Sequence, residues 1–200
     1  NLINSVIFAT SDKIREVAVF FDTLLIRGSR SKKIHIEDFF TFDSPNFLPL
    51  AEQGIHTVFN PKRREQRYMP KLKPLFSTRI QVLKVFPGAQ VKLSEQSLAV
   101  IIEGFGCGNL PMRDSSVLDL LKKCSTNKIP VVLTSQVQAG RVTPDIYEMG
   151  RKALELGAIS SRDMTFEATL IKCMMLAANK IPYMKWSKFV TSNWAGELTI

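Results

Sequence analysis

The sequence predicts an α/β chain whose C-terminal part is a small parallel sheet covered by helices. Three observations carry that prediction. From Ser77 onward, continuous apolar runs of strand length alternate with helical patterns, the signature of a buried parallel sheet. One of those runs, residues 97–103, enters Gly104-Phe105-Gly106-Cys107-Gly108-Asn109-Leu110-Pro111, with glycine at every second position, and a helical pattern (Val117, Leu118, Leu120, Leu121) follows. Upstream, Pro61, Pro70 and Pro74 bracket a basic connector without periodicity, the best position for a domain boundary.

In order along the chain, residues 1–10 read as the end of a helix with Leu2, Ile3, Val6 and Ile7 on one face. This helix is entered partway, which suggests that the chain is the remainder of something longer. Residues 16–21 read as a buried strand, and Asp22-Thr23 as a turn into Leu24-Leu25-Ile26. Residues 27–33 form a basic, glycine-containing loop. Phe39, Phe40 and Phe42 precede Asp43-Ser44-Pro45-Asn46, a run of turn formers. A further strand is expected over 55–59.

Beyond the connector, strands are expected over 80–86, 98–103 and 129–134. Helices are expected over 114–123, with Asp114 or Ser115 as N-cap, and over 145–156, with Gly157 suited to the C-terminal cap. Two more follow, one opened by Asp163-Met164-Thr165 and running to Ala178, the other over 182–190. The domain reading is 1–60, a linker over 61–76, and 77–200.

Composition narrows the chemistry. Two hundred residues with 45% hydrophobic content are enough for a real core, and no apolar run approaches the ~20 residues of a membrane span. No charged, apolar-cored leader opens the sequence. Three scattered cysteines without CxxC spacing fit a reducing compartment, and two histidines argue against zinc chemistry.

The formal charge of +9 concentrates in two stretches. Arg27, Arg30, Lys32 and Lys33 supply one, and residues 62–73 the other. Neither spreads cations along an element interleaved with aromatics, as a nucleic-acid groove would. The linker charges read as solvated surface. The glycine turn sits where ligands gather in parallel sheets, but it lacks the third glycine and the Gly-Lys-Ser/Thr of phosphate-binding loops. From the residues alone it is either a ligand turn or a tight turn without one.

Several blocks in order resemble the type I (cytoplasmic) L-asparaginases. They are residues 20–33 (Phe-Phe-Asp-Thr-Leu-Leu-Ile-Arg-Gly-Ser-Arg-Ser-Lys-Lys), residues 42–47, the glycine turn 104–111, residues 129–136, Gly140-Arg141-Val142, residues 163–170 and the tail Gly196-Glu197-Leu198-Thr199. The resemblance implies an α/β fold: the end of an asparaginase-type N-terminal α/β domain, then a small parallel-sheet Rossmann/flavodoxin-like C-terminal domain. It implies asparagine hydrolysis through a threonine acyl-enzyme, without a cofactor or metal, in a cytoplasmic homodimer or homotetramer with shared active sites and no nucleic-acid or membrane partner. The family's Thr-Gly-Gly-Thr nucleophile motif and its Thr-Asp pair are absent from these residues. The chain therefore resembles the C-terminal part of an asparaginase, without the nucleophile-bearing half.

Residue by residue, the family's catalytic lysine matches Lys33, which by itself reads as a solvated turn lysine. Lys32 stands where many members have threonine. The family's substrate-holding asparagine, which reaches a neighbouring subunit's site, matches Asn109. On local grounds Asn109 is a turn or cap residue, and both readings can hold together. Cys107, with no histidine near it in sequence, reads as a small turn filler. Glu103 stands where a regulatory-site arginine can stand and Val137 where a cysteine can, departures that put allosteric control in doubt. Tyr147 and Glu167 fall in family blocks, and a helix start accounts for Glu167. Alternatives are the amidase subunit of a tRNA-dependent amidotransferase, a fragment serving only subunit interaction, and a lysophospholipase-like homologue carrying ankyrin repeats.

Overall fold

The computed structural model describes residues 1–38, 40–61, 74–111 and 115–199. Most of the expected linker, Phe39 and the N-cap candidate Asp114 lie outside them. The chain divides into two compact units, the first comprising Asn1–Lys73 with Trp194–Glu197, the second Pro74–Asn193 with Leu198–Ile200.

The first unit contains helix α1 (Leu2–Ala9), strands β1 (Ala18–Phe21) and β2 (Leu24–Arg27), a 3-10 turn over Gly28–Arg30, and strands β3 (Lys32–Lys33), β4 (Phe42–Asp43), β5 (Ala51–Gln53) and β6 (Thr57–Phe59). Its sheet is antiparallel in the order β1-β2-β5-β6, with β3 and β4 as a separate ribbon. The expected buried strand over 16–21 is shorter and only half-buried, because β1 is an edge strand; Val17 is exposed. The strand expected over 55–59 begins inside a turn at the fully open Ile55. It is the second arm of a hairpin whose first arm, β5, reads in sequence as mixed polar and small. Phe8, Phe20, Leu25, Leu50 and Ala51 form the core, with the Phe8 and Phe20 rings 5.3 Å apart. On α1 the expected apolar face of Leu2, Ile3, Val6 and Ile7 lies exposed, and Phe8 is the buried residue.

The second unit runs β7 (Ile80–Lys84), β8 (Ala99–Gly104), α2 (Ser115–Thr126), β9 (Val131–Ser135), a 3-10 turn over Pro144–Ile146, α3 (Glu148–Glu155), β10 (Ile159–Ser160), α4 (Phe166–Ala178) and α5 (Tyr183–Val190). Its parallel sheet has the order β10-β9-β8-β7. Alternate residues of β8 point to opposite sides, as strand geometry requires. Val100 and Ile102 join Val117, Leu121 and Ala153 of α2 and α3, while Ala99 and Ile101 join Cys173, Leu176 and Trp186 of α4 and α5. Burial on both faces explains the unbroken apolar strand.

Local signals set the helix ends. Thr165 caps α4 by accepting Ala168 N–H on its Oγ1 at 3.1 Å. Past α3, Gly157 takes φ +90, its N–H donates to Leu154 O, and Ala158 N–H donates to Ala153 O, the paired bonds of a glycine-terminated helix. The single helix expected over 145–156 is divided, because Tyr147 is extended between the 3-10 turn and α3.

Candidate functional site

The glycine turn leaves the carboxyl end of β8 and closes on itself. Phe105 and Asn109 exchange backbone bonds, each N–H donating to the other's carbonyl at 2.8 Å, and Gly108 N–H also reaches Phe105 O. Gly106 and Gly108 adopt φ +47 and +98, angles disfavoured for residues with a Cβ. A Cβ on Gly108 would stand 2.7 Å from Val142 Cγ1, so space as well as conformation demands glycine there. The turn is fastened from β9: Ser135 Oγ donates to Gly106 O, and Gln136 N–H to Gly104 O. Gln136 Nε2 bridges the ends of two strands, donating to Val85 O at 2.6 Å and Glu103 O at 2.9 Å.

Asn109 is half-buried at the end of this turn. Its Oδ1 accepts the Leu110 N–H at 2.9 Å, so the local role is real. Its Nδ2 makes no hydrogen bond among the described residues, leaving two donors available. Cys107 is half-buried, and its carbonyl accepts Thr143 N–H. Glu103 is half-buried and Val137 exposed. Tyr147 is 48% exposed, and Glu167 lies in the first turn of α4.

Lys33, in the first unit, lies on β3 opposite Phe42 of β4 and is exposed. The ribbon is extended by Ile34 N–H donating to Thr41 O at 2.9 Å, and Phe42 packs against Phe21 with ring centroids 5.4 Å apart. A lysine on paired backbone is more narrowly placed than one in an open loop. Lys33 and Asn109 thus belong to different units.

Sequence reasoning missed what Arg27 and Arg30 do. Both read as charges of a basic loop, yet they are 4% and 1% exposed. The Arg27 guanidinium forms a two-point ion pair with Glu16, Nε to Oε2 and Nη2 to Oε1, and its Nη1 donates to Gly196 O at 3.3 Å. Arg30 Nε donates to the same carbonyl at 2.7 Å. The two guanidinium carbons stand 4.2 and 5.3 Å from the Phe47 ring centroid. Gly196 sits at φ +81, in a turn where the Glu197 carboxylate accepts Trp194 and Ala195 N–H. A partner over 160 residues away leaves no local pattern. The local signal that could have pointed to it is an arginine directly at the end of the apolar run Leu24-Leu25-Ile26, where burial is costly without a partner.

The remaining thiols are inert by burial: desolvation pushes Cys124 up to about 11 and Cys173 up to about 12. Among the described residues, no group of His, Cys, Asp and Glu could hold a metal ion, and no helix is long and apolar enough to cross a membrane.

Comparisons with known proteins agree on one family. Residues 79–187 match the Glutaminase/Asparaginase C-terminal domain, and residues 1–65 match Asparaginase, N-terminal. The chain is 32% identical to L-asparaginase 1 of Escherichia coli K12, over all of this chain and 61% of that protein. It is 33% identical to a glutamyl-tRNA(Gln) amidotransferase subunit of Methanobrevibacter smithii, over 98% of this chain and 48% of that one. The crystal structure of L-asparaginase I from Vibrio cholerae superposes with a TM-score of 0.88 at 32% identity, covering all of this chain and 62% of that one. The chain therefore spans about three-fifths, or less, of the length of these relatives.

Proposed function

Because this chain belongs to the glutaminase/asparaginase family, we propose that it is the greater part of an L-asparagine amidohydrolase, converting asparagine and water to aspartate and ammonia. The observation that carries the reading is Asn109: a strand-end turn held by β9 presents an amide whose Nδ2 donors are free of protein partners among the described residues. Such an amide suits the α-carboxylate of an amino acid, and a free carbonyl lone pair suits its α-amino group.

In this reading the nucleophilic threonine stands in a part of the protein outside these 200 residues, which contain no Thr-Gly-Gly-Thr. Lys33 polarises that hydroxyl or shuttles its proton, so that the threonine attacks the side-chain amide carbon. Ammonia leaves, and water releases aspartate from the acyl-enzyme. The exposed apolar face of α1 is covered by the rest of the first domain. Asn109 serves the site of a neighbouring subunit in a cytoplasmic homodimer or homotetramer.

A second reading, the amidase subunit of a tRNA-dependent amidotransferase, is favoured by the similarity to the Methanobrevibacter smithii protein. One experiment addresses both: the full-length protein is assayed for ammonia release from asparagine and from glutamine, with and without a charged tRNA. Steady release from asparagine alone is the expected result, and release only with a misacylated tRNA would replace it with the second reading. Lys33→Met should lower turnover by about 10²–10⁴-fold with unchanged circular dichroism; near-normal turnover would remove Lys33 from the mechanism. The 200-residue chain alone should release no ammonia.

A further inference from the structure

We propose that the four-residue segment Trp194–Glu197 is a positioning device for Lys33, acting through Arg30 and Arg27; this rests on the catalytic reading of Lys33 given above. The path from clamp to lysine is short. Arg30 ends the 3-10 turn, and Lys33 follows three residues later. Within the turn, Ser31 N–H and Oγ both return to Gly28 O, and Gly28 N–H donates to Val17 O at 2.9 Å. The tail adds three side-chain bonds to these. Arg30 Nε and Arg27 Nη1 converge on the Gly196 carbonyl, and Ser29 Oγ donates to the Ala195 carbonyl at 3.0 Å. Three side chains in four consecutive residues, 27 to 30, are thus held by two adjacent carbonyls.

The opposite side of Lys33 is held by the same pair of arginines. Lys33 pairs with Phe42 on β4, and the chain leaving β4 turns at Ser44, whose carbonyl accepts Phe47 N–H, so that Phe47 lies beneath both guanidinium groups. The lysine's strand and its partner strand are therefore both anchored on one buried cationic pair. Burying two guanidinium groups is costly unless each finds acceptors. The Glu16 carboxylate and the Gly196 carbonyl supply them. Shifting that carbonyl moves the arginines, and with them both ends of the ribbon that carries Lys33.

Gly196 is the point where the device can be disturbed. A Cβ there would stand 2.7 Å from Arg27 Cζ, Nε and Nη1, on a backbone at φ +81, so Gly196→Ala displaces the carbonyl without touching Lys33. The turn itself is held by Glu197, whose carboxylate takes the Trp194 and Ala195 N–H groups, while the Gly196 carbonyl faces the two arginines.

The test uses the full-length protein. Gly196→Ala and Arg30→Lys are compared with wild type by steady-state kinetics on asparagine and by hydrogen exchange resolved over residues 28–34 and 42–47. Gly196→Ala is expected to lower kcat about tenfold or more, as a misplaced catalytic group does, with KM within about twofold. Exchange should quicken in those two segments and stay unchanged in β8. Arg30→Lys, which retains a donor and the charge, should lower kcat less than Gly196→Ala. If Gly196→Ala does not fold, Ser29→Ala at the exposed rim replaces it, with the same pattern and a loss of about two- to threefold. Wild-type kcat with quickened exchange, or unchanged exchange, overturns the positioning role. A wild-type protein inactive on asparagine instead overturns the functional reading, and unchanged exchange would then overturn the clamp as well.

Discussion

The carbonyl oxygen of Asn109 lies 2.7 Å from the point a β-carbon on Gly104 would occupy, and the Gly108 carbonyl carbon lies 2.9 Å from it. The last residue of β8 is therefore glycine because the turn folds back on top of it. Gly104→Ala pits a methyl against backbone, which cannot rotate away. It should lower stability by about 1–3 kcal/mol and displace Asn109. Chemical denaturation of the full-length variant checks the first effect; a KM for asparagine raised more than kcat is lowered checks the second.

Asn109 has a turn role and a proposed ligand role, and two substitutions separate them. Asn109→Asp keeps an oxygen to accept Leu110 N–H but loses the Nδ2 donors and adds a negative charge. Asn109→Ala loses both. The Asp variant should retain wild-type thermal stability while KM rises by about ten- to a hundredfold, the cost of a lost bond to a charged group plus repulsion. The Ala variant should add a stability loss of about 0.5–1.5 kcal/mol. Equal KM in wild type and the Asp variant would leave Asn109 only its turn role.

Glu16 should matter more for folding than a charged residue just outside an edge strand suggests. Its carboxylate pairs with Arg27 where both side chains are 5–6% exposed. Glu16→Gln keeps the shape and removes the charge, leaving a buried guanidinium short of a counterion. The expected destabilisation is about 3 kcal/mol, measured by urea unfolding, whereas Lys33→Met, at an exposed position, should fall within about 0.5 kcal/mol.

The thiols give a pH-dependent prediction. Cys124 and Cys173 are buried, with desolvation pushing them up to about 11 and about 12. Since the thiolate is the reactive form, peptide-resolved labelling at pH 8 should modify the half-buried Cys107 first and leave both others unmodified in the folded state. The sign for stability follows. Below the ordinary thiol value of 9.0 both states hold the proton and the contribution is whole. Above it the unfolded chain gives up protons that the fold retains, so stability falls as pH rises from 9 toward 11–12. Thermal melts across that range should show a falling midpoint.

How much of this was legible in the sequence depends on distance along the chain. The strands at 80–84, 99–104 and 131–135 stood out because two-sided burial makes them continuously apolar, and Thr165 and Gly157 mark helix ends through bonds to near neighbours. Short elements did not stand out: β10 has two residues, too few for any period, and β5 is Ala-Glu-Gln. The break at Tyr147 was hidden because Pro144 and Gly150 meet across it. A Cβ on Gly150 would come within 1.9 Å of the Pro144 carbonyl oxygen, a contact that periodicity does not express. Lys33 and Asn109 are proposed through the blocks around them, since neither residue type is distinctive alone. Arg27 and Arg30 look like loop cations until their acceptor, 166 or more residues away, is brought beside them.

That separation sets an order of events during synthesis. A ribosome adding about 5–20 residues per second makes Arg30 roughly ten to thirty seconds before Gly196, counting the 166 residues between them. Throughout that interval the two guanidinium groups have no Gly196 carbonyl to approach, although Glu16 and, soon after Arg30, Phe47 are already made. The sheet of the second unit, whose strands end at Ser160, is already complete in sequence. The setting proposed for Lys33 is thus complete only once Gly196 has been made, and a nascent copy that stops before it carries Lys33 without that carbonyl.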